Sequence, residues 1–384
     1  QQLMSHLSLL NYPRECLRII LVCEADDVAT CQAVKHAMRP PFEIFETPAS
    51  LPRTKPKALN AALSSLPPAE RGDIISIYDA EDRPHPDKLI QAAHHFMTDP
   101  DIAAVQAPLG YYNDRENILT ALFGLEYAAL FHVWNPALAR FGLPFTLGGT
   151  SNHIRCSVLE TVGGWDAHNV TEDADLGFRI FALNRAPNRY KIKTITLATS
   201  EEAVRSYGQW AAQRSRWLKG FMQTWWVHMR MQKTAANGAK FTFGTRVKNI
   251  FCLQITLGAT LLAAFLHLPS VVIMATLFVA DTANYLTFAW PIAFIGVMAT
   301  GYCAAILTAI IGVVRAQKPH LIIYACLMPF YWLLLFWPAL IAAYEIIAAP
   351  DFWRKTEHAG DMLLQKAEQE NAFLPLTQLE TLRD

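Results

Sequence analysis

Two long stretches of this chain carry almost no formal charge. Between Ile250 and Val314 the only charged side chain is that of Asp281, and between Leu321 and Tyr344 there is none. A helix that crosses the apolar core of a bilayer needs about 20 consecutive, mostly apolar residues. These stretches therefore predict an integral membrane protein. We place its α-helical spans, about four in number, near 250–267, 270–288, 291–314 and 321–346.

The basic residues around these spans predict their orientation, because lysine and arginine accumulate on the cytoplasmic side of membrane segments. They flank both ends of the apolar region: Arg230, Lys233, Lys240, Arg246, Lys248, Arg354 and Lys355. Both flanks are therefore predicted to be cytoplasmic, which requires an even number of spans. Arg315 and Lys318 would then lie in an outside loop, contrary to the usual distribution of charge. Asp281 interrupts the second span, for which an interfacial or re-entrant helix is the alternative.

The remaining composition gives no support to two other classes of protein. The chain has 33 basic and 33 acidic residues, so it lacks the excess of positive charge expected of a nucleic-acid-binding protein. Its seven cysteines show no C-x-x-C pair and no spacing suited to zinc. We interpret them as reduced thiols of a cytosolic and intramembrane protein, with no nucleic acid among its partners.

Residues 1–205 alternate short apolar runs with helical patterns, which is typical of an α/β domain. The predicted strands are 17–22, 42–46, 73–78, 102–108 and 190–198. The predicted helices are 28–39, 57–66, 86–98, 117–141 and 174–185. This alternation predicts a mostly parallel sheet with flanking helices, whose ligands bind at the carboxyl ends of the strands. The chain opens with a helical pattern, so we expect the first strand to be missing upstream.

Three carboxylates stand at the end of one predicted strand, in the run "DIISIYDAEDRPHP" at 73–86. They are Asp79, Glu81 and Asp82. Carboxylates at a strand end can hold Mg²⁺ or Mn²⁺, which prefer oxygen ligands and leave positions open for substrate phosphates. The alternative is a solvated turn, or the N-terminus of the following helix, where acidic residues are favourable.

A second acidic group lies in "GGWDAHNVTEDADLGFRI" at 163–180, directly before a helical pattern. Thr171 could cap this helix, with Asp173 and Asp175 in its first turn. The functional interpretation is that one carboxylate acts as a general base on a hydroxyl nucleophile. The sequence alone leaves both interpretations open.

A third motif, "QWAAQRSRWLKG" at 209–220, lies on a predicted helix at 206–230 that is rich in tryptophan and precedes the first span. Such a composition predicts a helix in the membrane interface. Gln213, Arg216 and Trp217 together offer an amide, a fork of donors for a diphosphate and a flat ring for a sugar. The alternative is that Arg214 and Arg216 extend to lipid headgroups.

The order D-A-E-D, T-E-D, Q-x-x-R-W and membrane spans resembles the family 2 inverting glycosyltransferases of the cellulose, chitin and hyaluronan synthase superfamily. "KPKALNAAL" at 55–63 and "LGGTSNHIR" at 147–155 are similar to the XagB-like branch of bacterial exopolysaccharide glycosyltransferases. The resemblance covers nearly the whole chain. It implies a GT-A fold, a nucleotide-diphosphate sugar donor, a divalent metal, Mg²⁺ or Mn²⁺, and a location in the bacterial inner membrane with a cytoplasmic catalytic domain.

The resemblance also implies roles for individual residues. Asp79 matches the first acid of the D-x-D motif, which binds donor and metal, and either Glu81 or Asp82 is its second metal ligand. Asp173 matches the catalytic base, and Arg216 is expected to face the diphosphate of the donor. Further residues are implied in binding: Glu24 and Lys55 on the donor side, and Gly149, Thr150, Glu172, Gln213 and Trp217 on the acceptor side. Asp26 or Asp27 could replace Glu24 in contacting the nucleotide.

The segment "FWRKTEHAG" at 352–360 is similar to cytosolic segments that close over the donor site of related synthases. The candidate gating residues are Trp353, Lys355, Thr356 and His358. The alternative is an aromatic and basic anchor at the membrane surface.

These observations predict four parts of the chain: a GT-A domain at 1–205, interface helices at 206–248, spans at 249–349 and a cytosolic tail at 350–384. We expect a membrane-embedded enzyme that adds sugar from a UDP-sugar or related donor to a growing polysaccharide. Relatives with Q-x-x-R-W usually elongate chains, so we expect processive synthesis. The helix beside the spans would put the growing sugar at a membrane pore, so we also expect export, with accessory export subunits as possible partners. The alternatives are a single transfer to a lipid phosphate, and a channel or transporter with a cytosolic regulatory domain.

Overall fold

The computed structural model describes residues 2–184, 190–230, 243–280 and 289–349. The strands in this part of the chain are β1 (Ile19–Glu24), β2 (Phe42–Thr47), β3 (Ile74–Ser76), β4 (Arg83–Pro84), β5 (Ile102–Gln106), β6 (Leu109–Tyr111), β7 (Asn152–Arg155), β8 (Lys191–Thr194) and β9 (Thr199–Glu201). The α-helices are α1 (Gln2–Ser8), α2 (Val28–Ala37), α3 (Lys55–Ser65), α4 (Lys88–Thr98), α5 (Ile118–Ala129), α6 (Asn135–Arg140), α7 (Cys156–Thr161), α8 (Glu172–Ala182), α9 (Tyr207–Arg230), α10 (Phe243–Leu253), α11 (Ala259–Ala280), α12 (Ala289–Arg315), α13 (Met328–Leu333) and α14 (Phe336–Ala348).

The strands form three groups, two of them mixed, rather than the mostly parallel sheet that the alternating pattern predicted. β1 and β2 pair in parallel, and a four-stranded sheet has the order β3-β7-β5-β8. Within it β7 runs antiparallel to both of its neighbours, while β5 and β8 are parallel. The third group has the order β4-β9-β6. The prediction was wrong because β7, which follows the glycine-rich segment, is inserted between β3 and β5 in the opposite direction.

The central strand and its covering helix show why the sequence folds in this way. All five residues of β5 are buried, as expected of a strand with neighbours on both sides and helices over it. On α4, Leu89, Ala92 and Phe96 are buried at the spacing of one helical face. Ala92 and Phe96 pack in one cluster with residues of β5. The buried face of the helix and the buried strand thus pack together in one core.

The described residues contain fewer candidate spans than the four predicted. The first predicted span and the described part of the second form one helical run, Phe243–Val279, in which α10 and α11 are joined by the π-helical turn Gln254–Gly258. The described residues contain two helices long and apolar enough to cross a membrane, this run and Pro291–Arg315. A third segment is a bent pair, Pro319–Leu333 and Phe336–Ala348, with an angle of 42° between its halves. Asp281 lies outside the described residues.

The bent pair lies against the α/β domain. Trp210 Nε1 on α9 donates a hydrogen bond of 2.8 Å to Tyr331 Oη, and Lys219 Nζ donates one of 2.6 Å to the carbonyl of Ala349. At the other end, Lys318 Nζ lies 2.6 Å from Asp114 Oδ2. The pair therefore begins and ends on the side of the α/β domain, as a re-entrant or interfacial segment would.

The same contacts correct the predicted position of the loop between α12 and the bent pair. Arg315 Nη1 donates a hydrogen bond of 3.0 Å to the carbonyl of His132, and Lys318 contacts Asp114. Both basic residues therefore contact the α/β domain, contrary to their prediction as part of an outside loop. Because the first predicted span and the described part of the second form one helix, this helix and the next one would return the chain to the side of the α/β domain.

Packing of α12 on α5 depends on a glycine. A Cβ built at Gly312 would come within 2.5 Å of the backbone of Ala128, whereas one at Gly301 on the same helix would meet nothing within 4 Å. We expect Gly312→Val to destabilise the protein by about 1–3 kcal/mol, because the clash is with main-chain atoms that cannot rotate away. Gly301→Val is the matched control and should be tolerated. Thermal unfolding in detergent measures both; equal effects would contradict the packing of α12 on α5.

Candidate active site

Two loops meet at one edge of the four-stranded sheet because β3 and β7 are antiparallel. The end of β3 therefore lies beside the start of β7, and the two are joined by hydrogen bonds between Ser151 and Ile77 (2.8 Å) and between Ile77 and Asn152 (3.1 Å). The loop after β3 carries Asp79, and the loop before β7 carries Gly149. The acidic motif and the glycine-rich motif, about 70 residues apart in sequence, are thus neighbours.

Lys55, at the start of α3, joins these loops. Its Nζ contacts the carboxylate of Asp79 and donates a hydrogen bond of 2.7 Å to the carbonyl of Gly149. Burial by itself would lower the pKa of Lys55, but the negative charges of Asp79 and Glu172 outweigh it and raise this pKa above its ordinary value. The ammonium group therefore stays charged, as needed to attract a diphosphate.

The structure separates the two candidates for the second metal ligand. Asp82 is fully buried; its Oδ2 accepts hydrogen bonds from the backbone N–H of Asp79 (2.8 Å) and from the hydroxyl of Thr150. Burial and the charge of Asp79 raise the pKa of Asp82 to about 8. Glu81 is only half-buried. Asp82 thus supports the loop from within through Oδ2, whereas the side chain of Glu81 is accessible from outside.

The donor set fits a hard divalent cation that is completed by substrate. Asp79 offers carboxylate oxygens with about one third of its side chain exposed (33%), and Glu81 follows two residues later. Among the described residues no group of three or more histidine, cysteine, aspartate or glutamate side chains is arranged to hold a metal ion by itself. Mg²⁺ typically takes only one or two protein carboxylates and the phosphates of its substrate. Asp79 and Glu81 suit such an open site.

The T-E-D motif lies at the start of α8. Thr171 occupies the N-cap position and Asp173 and Asp175 lie in the first turn, as predicted, but the side chain of Thr171 makes no capping hydrogen bond. Asp173 Oδ1 accepts a hydrogen bond of 2.8 Å from the N–H of Ala174. Its Oδ2 would lie 3.5 Å from a Cβ built at Gly149, so the missing side chain of this glycine leaves room beside the carboxylate. A hydroxyl group could enter there.

Burial gives the two acids of T-E-D different pKa values. It raises the pKa of Asp173 to about 6, and burial together with the charge of Asp173 raises the pKa of Glu172 to about 8. Near neutral pH Asp173 is therefore mainly ionised and can accept a proton, while Glu172 is mainly protonated and can donate a hydrogen bond. Such a separation is how neighbouring carboxyl groups take different roles.

The helix α9 is fixed against this motif by close contacts. A Cβ built at Gly220 would come within 2.3 Å of Thr171 Oγ1, so only glycine allows the helix to approach this closely. One turn further on, Thr224 accepts a hydrogen bond of 2.8 Å from Asn169. At the end of the helix, His228 Nε2 lies 2.8 Å from Asp175 Oδ1. These contacts set the distance between Q-x-x-R-W and T-E-D.

Arg216 belongs to the same charged cluster as Asp79, Glu172 and Asp173. Burial lowers the pKa of Arg216, while the negative charges of these three carboxyl groups act in the opposite direction. Gln213 Oε1 is buried and accepts no hydrogen bond from any described residue. Together with Lys55, the cluster presents two cations and several carboxyl groups around Gly149, as a site for a diphosphate and a hydroxyl requires.

Trp217 of the Q-x-x-R-W motif forms an aromatic wall with two rings of α5. The ring of Trp217 stacks on that of Tyr127, with centroids 6.2 Å apart, and lies 5.9 Å from the ring of Phe123. Arg214 is buried rather than extended to lipid headgroups, so that alternative was wrong for this residue. Its guanidinium group binds the carboxylate of Glu126 and the hydroxyl of Tyr331. This network joins α9 to α5 and to the bent pair.

The predicted nucleotide side lies at the ends of β1 and α3. Glu24 Oε2 is 3.2 Å from Lys57 Nζ. Of the alternatives, Asp27 caps α2 by accepting a hydrogen bond of 3.1 Å from the N–H of Thr30, and Asp26 pairs with Arg53. Asp27 thus has a structural task as a helix cap, while Glu24 and Asp26 each form an ion pair with a basic side chain. The predicted gating residues at 353–358 lie outside the described residues.

Two residues near the site were not found by sequence reasoning. Lys88 is fully buried behind the loops, and Glu201, at the end of β9, has its pKa raised well above the ordinary value by burial and by the charges of Asp82, Glu81 and Asp79. Lys88 follows Asp87 in a polar run, where a lysine is normally exposed. Only the placement of β9 beside β4, which pairs Arg83 with Ser200, brings Glu201 close.

The fold and these motifs define a class of protein, a glycosyltransferase with a GT-A-like α/β domain. Comparison with known proteins agrees, because residues 74–345 match the family Glycosyl transferase family group 2. This match covers more than half of the chain, and the protein belongs to this family.

Individual relatives are more distant. The chain is 26% identical over 212 residues to a probable glycosyltransferase, YdaM, of Bacillus subtilis (strain 168), covering 55% of this chain and 49% of the relative. It is 28% identical over 149 residues to probable glucomannan 4-beta-mannosyltransferase 7 of Oryza sativa subsp. japonica, covering 38% and 25%. It is 31% identical over 108 residues to probable glucomannan 4-beta-mannosyltransferase 1 of Arabidopsis thaliana, covering 28% of this chain and 20% of the relative. The chain thus spans half or less of the length of these relatives.

One solved structure with an extended match is mannosyltransferase PcManGT from Pyrobaculum calidifontis, described in complex with GDP-Man and Mn²⁺. The TM-score is 0.48 at 20% sequence identity, and the match covers 85% of this chain and 82% of that one. Another is TarS 1–349 of S. aureus, with a TM-score of 0.41 at 9% identity, covering 85% and 86%.

The different surroundings of Glu81 and Asp82 lead to a test of the metal site. We expect Glu81→Gln to weaken Mn²⁺-dependent binding of a nucleoside diphosphate by about tenfold or more, since an ionised ligand is lost. Asp82→Asn should keep this binding, because the amide replaces a buried, largely protonated carboxyl group. Isothermal titration of UDP and GDP with and without Mn²⁺ measures both. The opposite ranking would show that Asp82 is the ligand.

The raised pKa of Asp173 leads to a test of the base. A base acts in its ionised form, so kcat/KM for sugar transfer should fall as the pH drops below about 6. Asp173→Asn should reduce transfer by about 10²- to 10⁴-fold, the usual contribution of a positioned base. The residual activity should no longer show this acid limb. A variant that retains the limb would assign it to another group.

Proposed function

We propose that this protein is a membrane-bound inverting glycosyltransferase that transfers sugar from a nucleotide-diphosphate donor to a growing polysaccharide. One observation carries the proposal: Asp173 Oδ2 faces the space over Gly149, in the same cluster as Asp79, Lys55 and Arg216. A proton acceptor and cations for a leaving diphosphate therefore belong to one charged cluster beside Gly149.

The reaction is a direct displacement at the anomeric carbon. Asp173 takes the proton of an acceptor hydroxyl group, whose oxygen forms the new bond to this carbon as the bond to the diphosphate oxygen breaks. Lys55 and Arg216 stabilise the negative charge of the departing diphosphate. A divalent cation held by Asp79 and Glu81 would supply further positive charge to the diphosphate. Attack from the side opposite to the leaving group gives inversion.

The acceptor is expected to approach from the side of α5 and α9. Gly149 lies beside Asp173, with the buried Thr150 next to it in the chain, and Gln213 offers an unsatisfied buried acceptor atom for a sugar hydroxyl. Glu172 donates a hydrogen bond, and Trp217 belongs to an aromatic wall with Phe123 and Tyr127. Sugars commonly pack their apolar faces on such rings, so a polymeric acceptor suits this surface.

The membrane arrangement supports synthesis at the bilayer surface. The run Phe243–Val279 and the helix Pro291–Arg315 are candidate crossings, while the bent pair lies on α5 and α9 beside the site. We infer that Arg315 and Lys318 face the same, cytoplasmic side as the catalytic domain, which satisfies the charge rule that four spans violated. The enzyme would lie in the bacterial inner membrane, with the growing chain passing to export, with or without accessory subunits.

The sugar and its carrier are the open part of the proposal. The resemblance of the motifs favours a UDP-sugar, whereas the plant relatives are named as glucomannan mannosyltransferases, and this favours GDP-mannose. Both belong to the same class of donor, and Lys55, Arg216 and the acidic pair would treat their diphosphates alike. The XagB-like branch, and with it an exopolysaccharide product, follows from the resemblance of the motifs.

A donor panel tests this function. The full chain in native membranes or nanodiscs is incubated with radiolabelled UDP-glucose, UDP-N-acetylglucosamine and GDP-mannose, with Mg²⁺ or Mn²⁺. We expect one donor to yield labelled polymer of many units, and Asp173→Asn to abolish this while still binding the nucleoside diphosphate.

The length of the product decides between the alternatives. A product of one sugar on an extractable lipid phosphate would replace polysaccharide synthesis by single transfer. Absence of transfer from every donor, with intact nucleotide binding, would contradict the proposed activity.

A further inference from the structure

Lys88 is an unusual residue, because it is a lysine with no exposed surface. It begins α4, and its Nζ donates hydrogen bonds to Ser151 Oγ, at 3.1 Å, and to Thr199 Oγ1. These two hydroxyl groups are also hydrogen-bonded to each other. Among the described residues no carboxylate forms an ion pair with Lys88. Completely buried lysines are rare because removing the amine from water is costly, so a specific role is expected.

Several titratable groups face Lys88. Burial lowers the pKa of Lys88 to about 7, while the negative charges of Asp82 and Glu201 act in the opposite direction. Burial and the charge of Lys88 both lower the pKa of His153. The ring of Tyr78 lies 5.9 Å from Nζ. Lys88 has no exposed surface, so it does not touch a substrate in this conformation. Any contribution to the reaction must act through the residues that it binds.

Its partner Ser151 has a backbone conformation that needs support. The φ angle of Ser151 is +52°, in the left-handed region that favours glycine. Its N–H donates to the carbonyl of Ile77 (2.8 Å), and its own carbonyl accepts from the N–H of Ala107 (3.0 Å). Residues in this region persist only where the surroundings hold them. Lys88 and Thr199, which Lys88 also binds, provide the contacts to its side chain.

The loop of Gly149, Thr150 and Ser151 is held at each of its three residues. Lys55 binds the carbonyl of Gly149, the hydroxyl of Thr150 binds Asp82, and Lys88 binds the hydroxyl of Ser151. The contact made by Lys55 lies beside Asp173, and those made by Asp82 and Lys88 lie in the buried interior. Release of the contact behind Ser151 would let the loop move relative to Asp173, and a shift of about 1 Å can reduce a rate by roughly 100-fold.

We propose that Lys88 is a positioning residue for sugar transfer, which holds Ser151 in its left-handed conformation and so fixes Gly149 and Thr150 beside Asp173. This inference rests on the proposed function, because it concerns the acceptor side of the same site. Lys88 would control the geometry of attack by the acceptor, whereas Lys55, Asp79 and Arg216 would bind the donor.

The substitution Lys88→Met tests the inference, because methionine keeps the length and removes the donor. The donor that is active in the panel, among UDP-glucose, UDP-N-acetylglucosamine and GDP-mannose, is used with the full chain. We expect transfer to the acceptor to fall by roughly 10- to 100-fold. Hydrolysis of the same donor by water, and binding of UDP or GDP with Mn²⁺, should change by less than about threefold, because the donor side is unaltered.

A second substitution tests the route through Ser151. Glycine adopts a φ angle of +52° without a Cβ penalty, so Ser151→Gly should restore transfer in the Lys88→Met background by about tenfold. The matched control is Lys35→Met, since Lys35 is an exposed lysine on α2 (52% exposed), and it should leave transfer unchanged. Hydrogen exchange of the Ser151 and Ala107 amides gives a readout that needs no activity: it should be faster in Lys88→Met and slow again in the double variant.

The outcomes separate the inference from its alternatives. Equal loss of transfer, hydrolysis and nucleotide binding in Lys88→Met would show a role in folding alone and overturn it. Unchanged transfer, or no rescue by Ser151→Gly, would overturn it as well. If the wild-type protein transfers no sugar from any donor, the proposed function fails. The exchange of the Ser151 and Ala107 amides then still decides whether Lys88 positions the loop, and unchanged exchange would overturn that.

Discussion

The antiparallel pairing of β7 with β3 is the constraint on which the candidate site depends. Because neighbouring antiparallel strands run in opposite directions, the end of β3 lies beside the start of β7, and the loops that carry Asp79 and Gly149 become neighbours. Lys55 can then bind both loops at once. In a parallel arrangement of the same strands these loops would lie at opposite edges of the sheet, and the cluster around Asp173 would lack one wall.

The same site is closed from the membrane side by a second set of contacts. Gly220 allows α9 to approach the T-E-D motif, and Arg214 joins α9 to Glu126 on α5 and to Tyr331 in the bent pair. Buried charged groups need such pairing, since an isolated charge in this environment would be costly. The position of Arg216 on α9 therefore depends on contacts with α5 and the bent pair as well as with the T-E-D motif.

Much of the architecture could be predicted from the sequence. The apolar periodicity located β1, β2, β5 and the helices α2 to α4 to within a few residues, because these elements bury continuous faces. Short strands such as β4, β6 and β9 were missed, since two or three residues carry no period. The division into four spans failed because hydropathy measures the apolar length of a segment and cannot show that two adjacent segments form one helix.

For the site, the sequence by itself determined which chemical groups are available: the carboxylates of D-A-E-D and T-E-D, the amine of Lys55 and the guanidinium group of Arg216 in Q-x-x-R-W. Motif order was sufficient for this, because each motif is local. Only the tertiary structure decided that Asp82 faces the interior, that Arg214 is buried and that Lys88 lies behind Ser151. These facts depend on which distant segments pack together, and a side chain's exposure and charge state follow from that packing.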